Sequence, residues 1–257
     1  MLDIVAATND EDVLGRNLLR SPVLALPGVG LHLQRGCKSA AAAYNAGLRA
    51  ARHDVVVFAH QDVYLPSGWS ERLLEQIERV ERLQPRWAVL GIYGIGTDGR
   101  HVGQVWSSGL NAVFGSKFEQ PAPVQSVDEL LIVLRRSSGI RFDDALPGFH
   151  VYGTDIVQQA LAGGHGAFVV CAPAIHNSRP SRYLGADYFE AYRHVAAKWR
   201  DRLPIESCAA PLLPAGPRYL RLRLRHRLSE WRHAGVDRRT LDRNYDSAAI
   251  ARRLGFE

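Results

Sequence analysis

Cysteine is scarce: Cys37, Cys171 and Cys208 lie far apart in the 257 residues, and no Cys-x-x-Cys pair occurs. That spacing argues against a disulfide framework or a zinc ribbon and leaves scattered thiols as the expectation. Long apolar runs are also missing. None approaches the ~20 residues of a bilayer-spanning helix, and the longest, such as Asp54 to Ala59, have the length of core strands. Met1-Leu2-Asp3-Ile4 has no basic stretch followed by an apolar one, so no secretory signal is expected and a cytoplasmic location is. No Walker sequence occurs, which argues against a P-loop NTPase, and Gly28-Val29-Gly30 is only a weak glycine pair, which argues against a Rossmann dehydrogenase.

What is present is an ordinary globular composition, with 46% hydrophobic and 23% charged residues, enough for one sizeable α/β core. The charge is uneven. Eight arginines between Arg218 and Arg239, set against Glu230 and Asp237, account for the whole net charge of +6. The preceding domain is neutral, which counts against a nucleic-acid binder.

Strand and helix patterns alternate over the first ~95 residues, which predicts right-handed βαβ units and a mixed, mainly parallel sheet flanked by helices. Asp3 to Ala7 reads as a strand opening at Thr8-Asn9-Asp10, Asp12 to Arg20 as a helix, and Val23 to Leu26 as a second strand. Ser39 to Ala51 is Ala-rich and helical, with Ser39 as its N-cap. The β-branched run Asp54 to Ala59 reads as a central strand that ends at His60-Gln61-Asp62. A helix over Ser70 to Leu83, a strand over Trp87 to Ile95 and a hairpin over Gln104 to Phe114 follow. Later come a helix from Asp155 to Ala162, a strand from Ala167 to Cys171 and a helix from Tyr183 to Arg202. The expected organisation is a domain over 1–203, a Pro-rich linker over 204–217 and a basic C-terminal helical extension over 218–257.

In such sheets ligands bind beyond the carboxyl ends of the strands. Thr8-Asn9-Asp10 and His60-Gln61-Asp62 both sit at such ends, so they are expected to be neighbours. A carboxylate there suits a hard divalent cation held between protein and diphosphate, although an Asp can equally serve only to turn the chain. His60 and Asp62 flank Gln61 and share one side of an extended chain. His176, at the end of a later strand and followed by Asn177-Ser178, offers a nitrogen ligand. Lys38 precedes a helix N-terminus and could meet a phosphate. Asp155 opens a helix beside the dense aromatic and glycine run Phe149-His150-Val151-Tyr152-Gly153-Thr154, which suggests a lined pocket and a general base.

The order of these elements resembles the family 2-like GT-A glycosyltransferases, and among them the streptomycin-biosynthesis-type glycosyltransferase-like domain. The matching runs are Ala7-Thr8-Asn9-Asp10, Ala43-Tyr44-Asn45-Ala46-Gly47-Leu48 and Val57-Phe58-Ala59-His60-Gln61-Asp62-Val63, followed by Gly68-Trp69. Val127-Asp128-Glu129, Phe142-Asp143, Phe149 to Asp155 and His176-Asn177-Ser178 complete the series, over roughly residues 1–200. The resemblance implies a GT-A type (Rossmann-like) fold and transfer of a sugar from a nucleotide-sugar donor, UDP-linked above all, to a glycan or small-molecule acceptor with Mn²⁺ or Mg²⁺. It implies donor contacts from Ala7, Thr8, Asn9, Asn45, Gln61 and Asp62, to which Lys38 is added from its place before a helix. The implied metal ligands are Asp62, His176 and His60, the implied catalytic pair is Asp155 and His150, and Trp106 and Tyr152 are left to the acceptor. Two departures stand out: His60 replaces the first carboxylate of Asp-x-Asp, and Gly153 stands where a base-bearing Asp would be. They motivate a second reading, a non-catalytic nucleotide-sugar-binding module.

The segment after Arg218 alternates with period two, yet Leu220, Leu224, Leu228 and Trp231 also share a helical face. As a helix it could rest on an anionic membrane through Arg218–Arg239, or pack on the domain or on another subunit.

Overall fold

A computed structural model describes residues 1–178, 183–233 and 245–257. Its strands are β1 (Leu2–Thr8), β2 (Gly30–Arg35), β3 (Val55–Ala59), β4 (Val63–Tyr64), β5 (Trp87–Gly91) and β6 (Tyr93–Gly96), then β7 (His101–Ser107), β8 (Ala112–Gly115), β9 (Ala122–Val127), β10 (Leu131–Arg135), β11 (Gly166–Val169) and β12 (Ala174–His176). The helices are α1 (Glu11–Arg16), α2 (Ala40–Ala50), α3 (Trp69–Leu83), α4 (Tyr152–Ala162), α5 (Ala186–Lys198), α6 (Pro217–His233) and α7 (Ser247–Leu254).

The strands form one sheet in the order β2-β1-β3-β10-β5-β11-β9-β6-β7-β12-β4, with β8 on β7. Period-two alternation sends successive side chains to opposite faces. Val5, Val56, Phe58, Ile132 and Leu134 face one way, onto Tyr44 of α2, Ile156 and Val157 of α4 and Tyr192 and Val195 of α5. Ile4, Val57, Ala59, Leu131 and Val133 face the other way, onto Leu14, Trp69, Leu73, Ile77 and Val80. The result is a three-layer sandwich.

Local chemistry explains the helices that flank the site. Ser39 caps α2 by accepting the Ala42 N–H at 3.2 Å, as its sequence suggests. Gly47 lets α2 lie close on β1, because a methyl there would collide with the Val5 side chain. Along α3, Leu73, Ile77 and Val80 recur at helical spacing and are buried. Each contributes about 1.5–3 kcal/mol of apolar burial. The Trp69 indole N–H donates to the Ala172 carbonyl at 2.9 Å and pins the start of the helix.

Several expectations change. β1–β2, β1–β3, β5–β11 and β7–β12 are parallel, but the other seven pairings among the described residues are antiparallel. The sheet is therefore mixed, and parallel mainly among its first three strands. Antiparallel β10 inserts between β3 and β5, a non-local pairing that βα alternation does not reveal. Val23 to Leu26 is no strand: Pro22 opens a 3-10 turn over Pro22–Ala25, and the second strand is β2. The helix expected to reach Arg20 ends at Arg16, and a 3-10 turn follows over Leu18–Arg20. The strand expected over Trp87 to Ile95 breaks at Ile92 into β5 and β6. The hairpin over 104–114 is β7–β8.

The segment 204–217 is not a free linker. Ile205 bridges to Leu212, and Ile205, Ala210 and Leu212 are buried in the core. Apolar side chains between the prolines find partners there, which removes the freedom of a tether. Of the expected basic extension, residues 234–244, with Arg238 and Arg239, lie outside the described residues, and the described part from 245 is folded back on the domain. Ala251 of α7 and Phe256 just beyond it pack against Tyr64, Trp106 and Ile175. Among the described residues no helix is long and apolar enough to cross a membrane.

Candidate functional site: a His-Asp-His cluster between two clefts

Register brings the key residues together. Leu131 at the start of β10 pairs with Ala59 at the end of β3, and the His60 N–H donates to the Leu130 carbonyl at 3.0 Å. The residues just before β10, Asp128 and Glu129, thus arrive beside His60. On the other side, β4 follows Asp62 directly and pairs His176 with Val63. The Asn177 N–H closes this junction by donating to the Asp62 carbonyl at 2.8 Å.

His60, Asp62 and His176 each aim one donor atom at a common point, and these atoms lie within 4.8 Å of one another. His176 Nε2 is 3.3 Å from Asp62 Oδ1, and His60 Nδ1 is 3.9 Å from the same oxygen. Burial opposes protonation of His60 and holds its pKa below the usual value, against the pull of Asp62. Burial also opposes charge on His176, but the Asp62 carboxylate outweighs it and raises that pKa. Asp62 is buried as well, yet the charge and hydrogen bond of His176 bring its pKa down.

Tyr152 sets the orientation of His60. The Tyr152 hydroxyl donates to the Glu129 carbonyl at 3.0 Å, and His60 Nε2 lies 2.8 Å from the same oxygen. A phenol has one proton, so His60 must donate Nε2–H to it. The Nδ1 lone pair is then left facing Asp62, the arrangement in which an outer hydrogen bond fixes the tautomer of a metal-binding imidazole. Two imidazoles and one carboxylate make a mixed nitrogen–oxygen set, which suits a transition-metal divalent cation better than Mg²⁺, a cation that takes oxygen almost alone.

A cleft of 290 Å³ opens on one side of the cluster, lined by Ala7, Thr8, Asn9, Gln61, Tyr44 and Phe149 together with His60 and Asp62. Gln61 builds its floor. Its Oε1 accepts from Thr8 Oγ1 at 2.7 Å and from the Asn9 and Asp10 N–H groups at 3.1 Å, while its Nε2 donates to Asn9 Oδ1 at 2.7 Å. On the other side lies a larger cleft of 720 Å³, with His176, Asp128, Tyr93, Ser107 and His226 in its walls. A narrow recess of 120 Å³ containing His60, Asp128 and Glu129 adjoins the cluster.

Sequence reasoning left the roles of Asp128 and Glu129 unassigned. Asp128 lines both the larger cleft and the recess, and its charge adds to burial in pushing the Cys208 thiol pKa up. Burial pushes the Glu129 pKa up to about 8, with the Asp128 charge adding to it. Glu129 accepts the Gly153 N–H at 3.3 Å at the start of α4. The residue ahead of α4, Val151, is buried with φ 64, a left-handed conformation that costs a β-branched residue of order 1–3 kcal/mol. The signal available in sequence was the Asp128-Glu129 pair itself, at the edge of an apolar run.

Other expected site residues lie elsewhere. Asp155 is 1% exposed and fully engaged: Trp199 Nε1 donates to it at 2.7 Å, Gln159 Nε2 at 2.8 Å and Lys198 Nζ at 2.9 Å. It ties α4 to the end of α5 and lines none of the clefts, which corrects its assignment as base. Asn45 is buried and spends its amide on the backbone of Phe142 and on Asp144 Oδ1, so it braces that segment instead of touching a nucleotide. Tyr152 is 2% exposed and supports His60 instead of an acceptor. Trp106 is 6% exposed, bonds the Tyr245 hydroxyl through its indole N–H and lies under Arg253, so its ring is closed to a sugar. His150 faces Asp187 at 3.2 Å and lies tilted against the Tyr188 ring, outside the cluster. Lys38 is exposed beside Cys37, which lines the smaller cleft.

The comparisons with known proteins agree with this architecture. The chain shares its fold with the crystal structure of GalNAc-T7 with UDP, GalNAc and Mn²⁺, at a TM-score of 0.54 and 13% identity over 78% of this chain and 49% of that one. A likeness to S. aureus TarS 1-349 in complex with UDP-GlcNAc has a TM-score of 0.47 at 16% identity, covering 77% of this chain and 66% of that one. The fold is thus GT-A in type: a curled mixed sheet flanked by helices.

Residues 31–123 match the family model for glycosyl transferase family 2. A protein of Fuscovulum blasticum described as "ATP synthase subunits region ORF 6" is 29% identical over 154 residues, 58% of this chain. The chain spans 61% of the length of that relative.

Proposed function

We propose that this chain is a glycosyltransferase that moves a sugar from a nucleoside-diphosphate donor, UDP-linked in the first instance, to a glycan or small-molecule hydroxyl with the help of a divalent cation. The observation that carries the reading is the convergence of His60, Asp62 and His176 at the strand ends, between two clefts. The order of sequence motifs supports a kinship with the streptomycin-biosynthesis-type domain within family 2. The presence of UDP and Mn²⁺ in the GalNAc-T7 crystal supports the choice of donor and metal.

His60 Nδ1, Asp62 and His176 Nε2 would hold the cation, and the two imidazoles favour Mn²⁺ over Mg²⁺. When bound, the metal offsets charge on the leaving diphosphate. Thr8 and Asn9, fixed by Gln61, shape the smaller cleft for the nucleotide. Asp128 borders both the recess and the larger cleft and is assigned as the base that takes the acceptor hydroxyl proton. With Asp128 in that role, the departures at His60 and Gly153 no longer favour a non-catalytic module.

Calorimetry of UDP binding with and without Mn²⁺, in wild type and Asp62→Ala, tests the site. Mn²⁺ should tighten binding in wild type and leave the variant unchanged; metal-independent binding that ignores the substitution would sink the assignment. Release of UDP from UDP-sugars by wild type, measured alongside, separates an enzyme from a binding module.

A further inference from the structure

The function proposed above makes no use of α6, the helix that carries most of the net charge. At about 3.6 residues per turn, its residues divide into two opposed faces. Tyr219, Leu222 and His226 face inward. Tyr219 stacks on Tyr192 of α5 with ring centroids 5.4 Å apart, His226 lies 5.9 Å from Phe189, and its Nδ1 accepts the Leu184 N–H at 3.1 Å. The opposite face bears Leu220, Leu224, Leu228 and Trp231, exposed by 62, 57, 46 and 78%. Four large apolar side chains in one stripe are more than the scattered exposure of an ordinary surface.

What flanks the stripe identifies what covers it. Arg221, Arg225 and Arg232 run along one side, with Arg223 and Arg227 along the other. Between α5 and α6 a groove of 410 Å³ has Leu184, Phe189, Leu220 and Leu224 among its lining, with Arg193, Arg223 and Arg227 beside them and Glu230 as the acidic member. An apolar floor edged by guanidinium groups matches the acyl chain and phosphate of an anionic lipid. Leucines that enter the acyl boundary while arginines reach the phosphates, with a Trp at the headgroup level, make an interfacial helix. A second copy would set arginine against arginine, so like charge opposes self-association through this face.

We propose that α6 is a peripheral membrane-docking helix, which lays Leu220, Leu224, Leu228 and Trp231 into the headgroup region of an anionic phospholipid bilayer. The inference stands independently of the reading of the clefts.

The test uses the full chain with vesicles of phosphatidylcholine containing about one quarter phosphatidylglycerol, and with phosphatidylcholine alone. Co-sedimentation is expected with the anionic vesicles only, and it should weaken as salt rises. Leu224→Glu combined with Trp231→Glu should abolish it, and Arg221→Gln with Arg225→Gln should weaken it by about 30-fold. These side chains are exposed, so the variants should keep the wild-type melting temperature and UDP affinity. Brominated acyl chains should quench Trp fluorescence in wild type, and Trp231→Phe should remove that quenching. No binding, equal binding to neutral vesicles, or binding indifferent to both double variants overturns the proposal. So does a concentration-dependent dimer that Leu224→Glu dissociates, because the stripe would then belong to a second copy.

Discussion

His60 Nε2 and the Tyr152 hydroxyl, 92 residues apart in the chain, stand 2.8 Å from each other. The same hydroxyl donates to the Glu129 carbonyl, so a single phenol sets which nitrogen of His60 faces Asp62. Replacing Tyr152 with Phe keeps the ring packed against Tyr44 and Phe142 but frees the imidazole to turn or change tautomer. The Mn²⁺-dependent part of UDP affinity should fall by about 10–100-fold. Calorimetry in the presence and absence of Mn²⁺ reads this directly, and metal-free binding should stay unchanged.

Asp128, proposed as the base, and Asp155, buried against Lys198 and Trp199, should respond differently to substitution. Asp128→Asn should lower the transfer rate by about 10²–10⁴-fold while donor affinity holds. Asp155→Asn leaves Trp199 without its charged acceptor and Lys198 with Asp143 alone, and should cost about 2 kcal/mol of stability. Turnover per folded molecule should survive that change. Steady-state kinetics paired with urea melts of both variants distinguish the two roles; equal loss of rate in both would contradict them.

The acid limb of stability should report on Asp3. Burial opposes its charge, but the N–H groups of Arg52 and His53 and the rings of His32 and His53 hold its pKa at about 2, below the ordinary 3.8. A folded-state pKa below the unfolded one stabilises the fold above about pH 4. That contribution is lost as pH falls toward 2, and it amounts to about 2 kcal/mol. Asp3→Asn should therefore flatten the dependence of the urea midpoint on pH between 4 and 2. Asp143, also held at about 2 beside Lys198 and His194, should leave a residual slope.

Trp106→Ala should act on stability and leave binding alone. The indole fills the cluster that seats α7, so its removal should cost about 3–5 kcal/mol and make the C-terminal helix an early site of limited proteolysis. UDP affinity should be unchanged. A higher KM for acceptor with no shift in melting temperature would restore Trp106 to the acceptor site.

Much of the frame was legible in sequence because it depends on local chemistry. The apolar run of β3, the Ser39 cap of α2 and the periodicity of α3 each specify one element. Placing His60-Gln61-Asp62 at a strand end located the cluster, and His176 followed from the same rule. What could not be read depends on pairing across the chain. Asp128 reaches the site only because β10 runs antiparallel beside β3. Asp155 looks the same in sequence whether its helix start opens on a cleft or on Lys198 and Trp199. β2 was hidden because its residues are only partly buried and carry no clean alternation.

Gln61 ties the loop after β1 to the loop after β3 through four hydrogen bonds. Two segments from different strands therefore behave as one rigid floor. A nucleotide entering the smaller cleft meets a surface already ordered, so little of its binding energy goes into stilling loops. Loss of that clamp would appear first as a larger unfavourable entropy of binding, with the fold intact.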